Sequence, residues 1–214
     1  MTTDDAFADS LAAGLKPVTR RTPARDWTAF ALLAAAELIA YAGLRGMRPD
    51  MPMAMGLMAF WWKGLSLLVL AVIGVATTIT ALAPERSARR GLRGLGIAAA
   101  VAVALGWIVD ASRAGPADLI ARLDWREGLS CVGAVVILAA PALGALVVLM
   151  RRGAPTDPRR TATAAGAAAA AWGGAVFTLR CPHDDPLYIA VWFAVAILAI
   201  MAFARVTVPR LTRW

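Results

Sequence analysis

Apolar residues along this chain gather into six long blocks, near residues 27–45, 57–83, 94–111, 128–150, 162–179 and 187–205. Short polar connections separate them. Each block is mostly Ala, Leu, Val and Ile, with Gly and Trp among them. At 1.5 Å per residue, runs of about 18 to 25 residues are long enough to cross a bilayer core about 30 Å thick. No water is present there to satisfy bare backbone groups, so each run must be helical. The pattern predicts an all-α polytopic membrane protein with six transmembrane helices. Composition agrees: 60% of the 214 residues are hydrophobic and mean hydropathy is +0.66, against about 45–50% apolar in a soluble domain.

Charge adds an orientation. The N-terminal tail (Lys16, Arg20, Arg21, Arg25), the second connection (Arg86, Arg89, Arg90, Arg93), the fourth (Arg151, Arg152, Arg159, Arg160) and the C-terminal tail (Arg205, Arg210, Arg213) place fifteen cations on one side. The other side has six: Arg45, Arg48, Arg113, Arg122, Arg126 and Arg180. The positive-inside rule then puts both termini in the cytoplasm. The net charge of +8 is mainly this asymmetry and predicts no direct contact with nucleic acid. The polar first 25 residues are not expected to form a cleavable signal peptide. Residues 1–26 read as a cytoplasmic amphipathic segment and 27–214 as the membrane domain. The alanine run after Thr161 reads as a helix of small residues that lets its neighbours pack closely.

In this topology the stretch RCPHDDPLY, Arg180 to Tyr188, is an outward-facing connection that brings Cys181, His183, Asp184 and Asp185 together. Cys131, the other cysteine, falls near the same outer face, early in the fourth block. The fourth and fifth blocks are joined by a short inner loop and should be antiparallel neighbours. The two sulfurs could form a disulfide, bind a thiophilic metal, or simply pack; a disulfide needs Cα atoms within about 7 Å. There is no CxxC to mark a structural zinc or thioredoxin-like site. The first outer connection carries Met47, Met51, Met53, Met55 and Met58, five of the eight methionines. Thioether sulfur is a soft ligand, so Met51, Met53 and Met55 join Cys131, Cys181 and His183 as candidate metal ligands, with gap-filling by Met as the alternative.

Ionisable residues within spans are costly and conspicuous. Glu37 and Lys63 are read as a candidate intramembrane ion pair. Asp110 ends the third block at the outer interface and calls for no special role. Trp61 and Trp62 suit the interfacial aromatic belt. The outer segment with Leu119, Ile120 and Leu123 among charges is expected to lie as a short helix on the surface.

In the N-terminal segment, Thr3 can cap a helix, with Asp4 and Asp5 in its first turn. Phe7, Leu11 and Leu15 recur at helical spacing on one face, and Lys16 with Pro17 marks the stop. So short a helix is marginal alone in water. It is suited to a groove on a protein partner; its acidic flank disfavours an anionic membrane surface.

The six-span layout, the acidic–apolar N-terminal helix, FWWK in the second span, RRGAPT in an inner loop, CPHDDPLYIAVW in the outer one and the PRLTRW ending together resemble the NrsF-type membrane anti-sigma factors across essentially the whole chain. The resemblance implies an inner-membrane protein, not an enzyme and requiring no cofactor, that holds an extracytoplasmic-function sigma factor inactive. It releases the partner when heavy metal or oxidant acts on periplasmic cysteines. It makes Cys131 and Cys181 the signal-sensing pair, with a thiophilic metal ion as a candidate signal, and Phe7, Leu11 and Leu15 the candidate sigma-binding residues. The family pattern often has an acidic residue where His183 stands, so the histidine is not a requirement of it. Two rivals compete. A metal or small-molecule transporter needs a polar path through the spans, for which only Glu37 and Lys63 qualify. A membrane thiol oxidoreductase fits two lone cysteines poorly.

Overall fold

The computed structural model describes residues 3–14, 21–111 and 122–212. Among these, all regular structure is helical: α1 (Thr3–Ala13), α2 (Pro23–Arg45), α3 (Met51–Ala54), α4 (Met58–Thr80), α5 (Arg89–Ala111), α6 (Trp125–Arg152), α7 (Pro158–Phe177) and α8 (Pro186–Leu211). Several helices overrun their apolar blocks. Helix α2 begins at Pro23, whose fixed φ and missing N–H suit the first helical turn. It therefore runs through the 26/27 boundary drawn from the sequence. The ends of α6 and α8 carry Arg151, Arg152 and Arg210, whose long stems let a helix continue past the hydrocarbon edge. Leu15, Lys16, Pro17, Leu119 and Ile120 lie outside the described residues.

Five helices, α2, α4, α5, α6 and α8, are long and apolar enough to cross a membrane. The sixth expected crossing, α7, forms a 20-residue helix but is not one of these five. Its residues are mainly alanine, which is only mildly apolar. Burial replaces greasiness here. Helix α7 packs along α4, α6 and α8, and Ala164, Ala165, Ala168, Ala169 and Ala170 are fully enclosed. A side chain surrounded by protein does not need to match lipid. The approach is close enough that a Cβ on Gly173 would meet the Ala139 nitrogen at 2.7 Å, and one on Gly74 would meet Ala168 Cβ at 2.8 Å. Small residues let helix backbones come together where no hydrophobic force drives them.

Helix α2 is packed differently. Its buried residues, Asp26, Phe30 and Ala34, all lie in its first half. Leu38, Ile39 and Leu44 in its second half are exposed. Gly46, at φ 71°, closes α2. That left-handed conformation turns the chain back toward the bundle, and a side chain there would be strained.

Candidate functional site

The connection between α7 and α8 does not hang free at the end of the bundle. Two buried cations fasten it. Lys63 on α4 is 1% exposed, and its Nζ donates to the carbonyls of His183 (2.8 Å) and Cys181 (3.4 Å) and to Asp184 Oδ1 at 3.2 Å. Arg48 is 5% exposed. Its guanidinium donates to the Cys181 carbonyl at 3.1 Å, to the Pro182 carbonyl at 3.4 Å and to Asp184 Oδ1 at 3.0 Å. On its other side it grips Asp50 bidentately, at 2.7 and 2.6 Å. The backbone N–H of Arg48 adds a bond to the Leu179 carbonyl at 3.0 Å. Buried charges persist only when paired and hydrogen-bonded; here one carboxylate answers two cations, and carbonyls take the remaining donors. Replacing Asp184 by leucine is therefore expected to cost about 3–5 kcal/mol, because Lys63 would be left buried without a carboxylate. Thermal unfolding of the purified variant in detergent, beside the wild type, measures it.

A second clamp lies beside the first. Asp185 caps α8, accepting from the backbone N–H groups of Leu187 (2.9 Å) and Tyr188 (3.3 Å). Arg122 bridges Asp185, at 2.6 Å to each oxygen, and Asp110 at 2.5 Å. Burial alone would raise the Asp185 carboxyl, but the Arg122 guanidinium and the capping N–H groups more than offset it and hold the pKa below its ordinary value.

Beneath this charged lid are the two thiols. Cys131 and Cys181 are both reduced and buried, 6% and 0% exposed. They belong to one buried cluster, and the Cys131 sulfur nearby, reinforced by burial, pushes the Cys181 thiol well above its usual range. Cys181 Sγ lies 3.9 Å from the His183 carbonyl, which can accept from it. Cys131 Sγ also lies 3.4 Å from the Tyr188 hydroxyl. The Tyr188 ring stacks on His183 with centroids 4.2 Å apart, and His183 Nε2 lies 2.8 Å from Glu127 Oε2.

Some expected groupings appear and others do not. The neighbouring of α6 and α7 brings the two sulfurs together, as the short inner loop suggested. Although it lies in a connection, Cys181 is fully enclosed, with its carbonyl held by Lys63 and Arg48. Glu37 and Lys63 do not pair with each other. Lys63 stands in the first turns of α4, level with Asp184. Glu37 lies about two turns below the Arg45 end of α2, where its Oε2 accepts from Trp172 Nε1 at 2.9 Å. Asp110, expected to be idle, is a partner of Arg122. The candidate metal set is not gathered into one site. Met53 and Met55 are exposed while the thiols are enclosed, and His183 is engaged with Glu127. Among the described residues, no three His, Cys, Asp or Glu side chains converge to hold a metal ion. Phe7 and Leu11 on α1 are exposed apolar residues.

Buried neighbouring thiols beside an ion-paired connection, with exposed apolar residues on the N-terminal helix, suit a regulator rather than a turnover site, and similarity to known proteins decides the matter. The family described as NrsF, negative regulator of sigma F, matches residues 11–214. The chain belongs to the NrsF family. It is 28% identical over 218 residues to the anti-sigma-F factor NrsF of Caulobacter vibrioides, with both chains covered completely. It is 26% identical over 226 residues to the probable anti-sigma-F factor NrsF of Azospira oryzae, again with full coverage of both. No solved structure matches. NrsF proteins are regulatory anti-sigma factors and not enzymes, which removes the oxidoreductase reading. The residues that sequence reasoning missed are Arg48, Tyr188 and Trp172. Arg48 counted only as one outer charge, although an arginine between an apolar span and a methionine-rich turn is itself a signal for a buried carboxylate partner.

Proposed function

We propose that this chain holds an extracytoplasmic-function sigma factor at the inner membrane of a bacterium and releases it when oxidant or a thiophilic metal acts on Cys131 and Cys181. The family match over residues 11–214, with a relative covered end to end, carries the anti-sigma part. The enclosed thiols of one buried cluster support the sensing part. In this reading α7 completes six crossings, both termini are cytoplasmic, and the cysteines lie on the periplasmic side, as the fifteen-to-six division of Lys and Arg favours. Phe7, Leu11 and Leu15 form the face offered to the partner.

The signal works by differential affinity for two packings of the helices. Taking occupancy from 99:1 to 1:99 needs about 5.5 kcal/mol. A new disulfide, or thiolate–metal bonds, is of the right size. Oxidation to a disulfide removes two protons and two electrons from the pair, both taken by the oxidant. Binding of a soft metal ion releases the thiol protons instead.

The arrangement is tested by co-expressing the chain with its cognate sigma factor and a reporter promoter, and mapping topology in the same cells. Expression should silence the reporter. Because Cys181 is enclosed, the thiol labels belong elsewhere. In a cysteine-free background, Met53→Cys should react with a membrane-impermeant maleimide in spheroplasts and Ser87→Cys should not. Both positions are exposed, so the reverse pattern would invert the topology and place the cysteine pair on the wrong side for outward sensing.

A further inference from the structure

The segment that contains Cys181 holds the Arg45 end of α2, and α2 follows α1 in the chain. We propose that Arg48 is the coupling residue of this protein: its guanidinium ties the position of the Cys181 segment to α2, and α2 carries any displacement to the cytoplasmic helix. This rests on the sensing reading above and specifies its path.

The geometry is asymmetric in a useful way. Lys63 and Arg48 share the same carboxylate and the same Cys181 carbonyl. Lys63 fastens them to α4, which packs along α7 in the centre of the bundle. Arg48 fastens them to the five-residue connection, Gly46 to Asp50, that follows α2. A third bond follows the same route, from the Arg180 guanidinium to the Arg45 carbonyl at the last turn of α2. The bonds from α2 and its turn therefore grip Leu179 through Asp184, on both sides of Cys181.

Little else restrains that end of the helix. No residue in the second half of α2 is buried; the Glu37–Trp172 bond is its one side-chain hydrogen bond to the bundle among the described residues. A rod of 23 residues, about 34 Å long, turns a small outer shift into a tilt felt at its inner end. That inner end starts at Pro23, close in sequence to the end of α1 at Ala13. When the two S–H bonds break and an S–S bond forms, the sulfurs must close to about 2.05 Å, and in this proposal the Cys181 segment shifts to meet Cys131. Its carbonyl, held by Arg48, moves with it.

The test separates thiol chemistry from release. Cells carrying wild type, Arg48→Gln or Asp50→Asn are treated with an azodicarboxamide oxidant, whose N=N bond takes the two protons and two electrons. Oxidation of the pair is read by an alkylation gel shift and release by the sigma-dependent reporter. Lys63 still neutralises Asp184 in Arg48→Gln, so the fold has a carboxylate partner left in place. The expected result is a pair that oxidises as in wild type while the induction ratio falls to about 1, because the inner end no longer follows the outer one. Asp50→Asn removes only an exposed carboxylate that orients the guanidinium (48% exposed), and should give an intermediate ratio. If Arg48→Gln does not accumulate, Asp50→Asn decides alone. Wild-type induction at wild-type oxidation overturns the coupling role, and so does a pair that can no longer oxidise, since that would make Arg48 part of the thiol site. A wild-type protein that oxidises without inducing the reporter would instead remove the sensing reading, and the coupling with it.

Discussion

Cys131→Ser and Cys181→Ser should each leave sigma capture intact and abolish the response to inducer. The Cys181 segment is bonded to the Arg45 end of α2, whereas α1 precedes the Pro23 end in the chain. In the proposed topology neither thiol can touch a partner bound at α1, across about 30 Å of hydrocarbon. Any influence must pass through helix packing. Each single change removes half of a two-sulfur site, so single and double variants should behave alike, the non-additivity of groups acting as a unit. Serine keeps the hydrogen bond near Tyr188 and is close in volume, so loss of stability should be modest. A sigma-dependent reporter, with and without cadmium, copper or oxidant, reads the effect. Normal induction in the double variant would mean that the cysteines only pack. Constitutive output would mean that they maintain the holding state.

Replacing Phe7, Leu11 and Leu15 together with alanine should abolish capture. Phe7 and Leu11 are 66% and 58% exposed, and burying a large apolar side chain contributes about 1.5–3 kcal/mol. Three such losses amount to several powers of ten in affinity at 1.4 kcal/mol per tenfold. Alanine favours the helix, so the segment should keep its conformation and lose only its grip. Membrane insertion should be unchanged, since α1 lies outside the spans. Co-purification of the variant with the sigma factor at wild-type yield would refute the assignment.

The membrane helices were readable in the sequence because a bilayer imposes one requirement, a run of apolar residues of fixed length, that local composition can meet. The same logic explains the case of α7. A run of alanines announces a helix but not whether lipid or protein surrounds it, and burial by α4, α6 and α8 is a property of the whole bundle. The closeness of Cys131 and Cys181 could be anticipated from one short loop. The charged lid could not. Arg48, Lys63 and Asp184 come from three distant parts of the chain, and each alone resembles an ordinary interfacial charge. The expected Glu37–Lys63 pair paired two charges by depth alone. Nearer partners, Trp172 for Glu37 and Asp184 for Lys63, take both because hydrogen-bond geometry outranks approximate depth.

The central claim is that the state of the thiol pair governs occupancy of α1 by the sigma factor. The direct measurement is co-purification of the sigma factor with the wild-type protein from membranes held reduced or treated with oxidant, with the fraction of Cys131–Cys181 disulfide read by alkylation in the same samples. The bound partner should fall in proportion as the disulfide forms, and return on reduction. A sigma factor that stays bound in full to protein whose pair is completely oxidised would contradict the account.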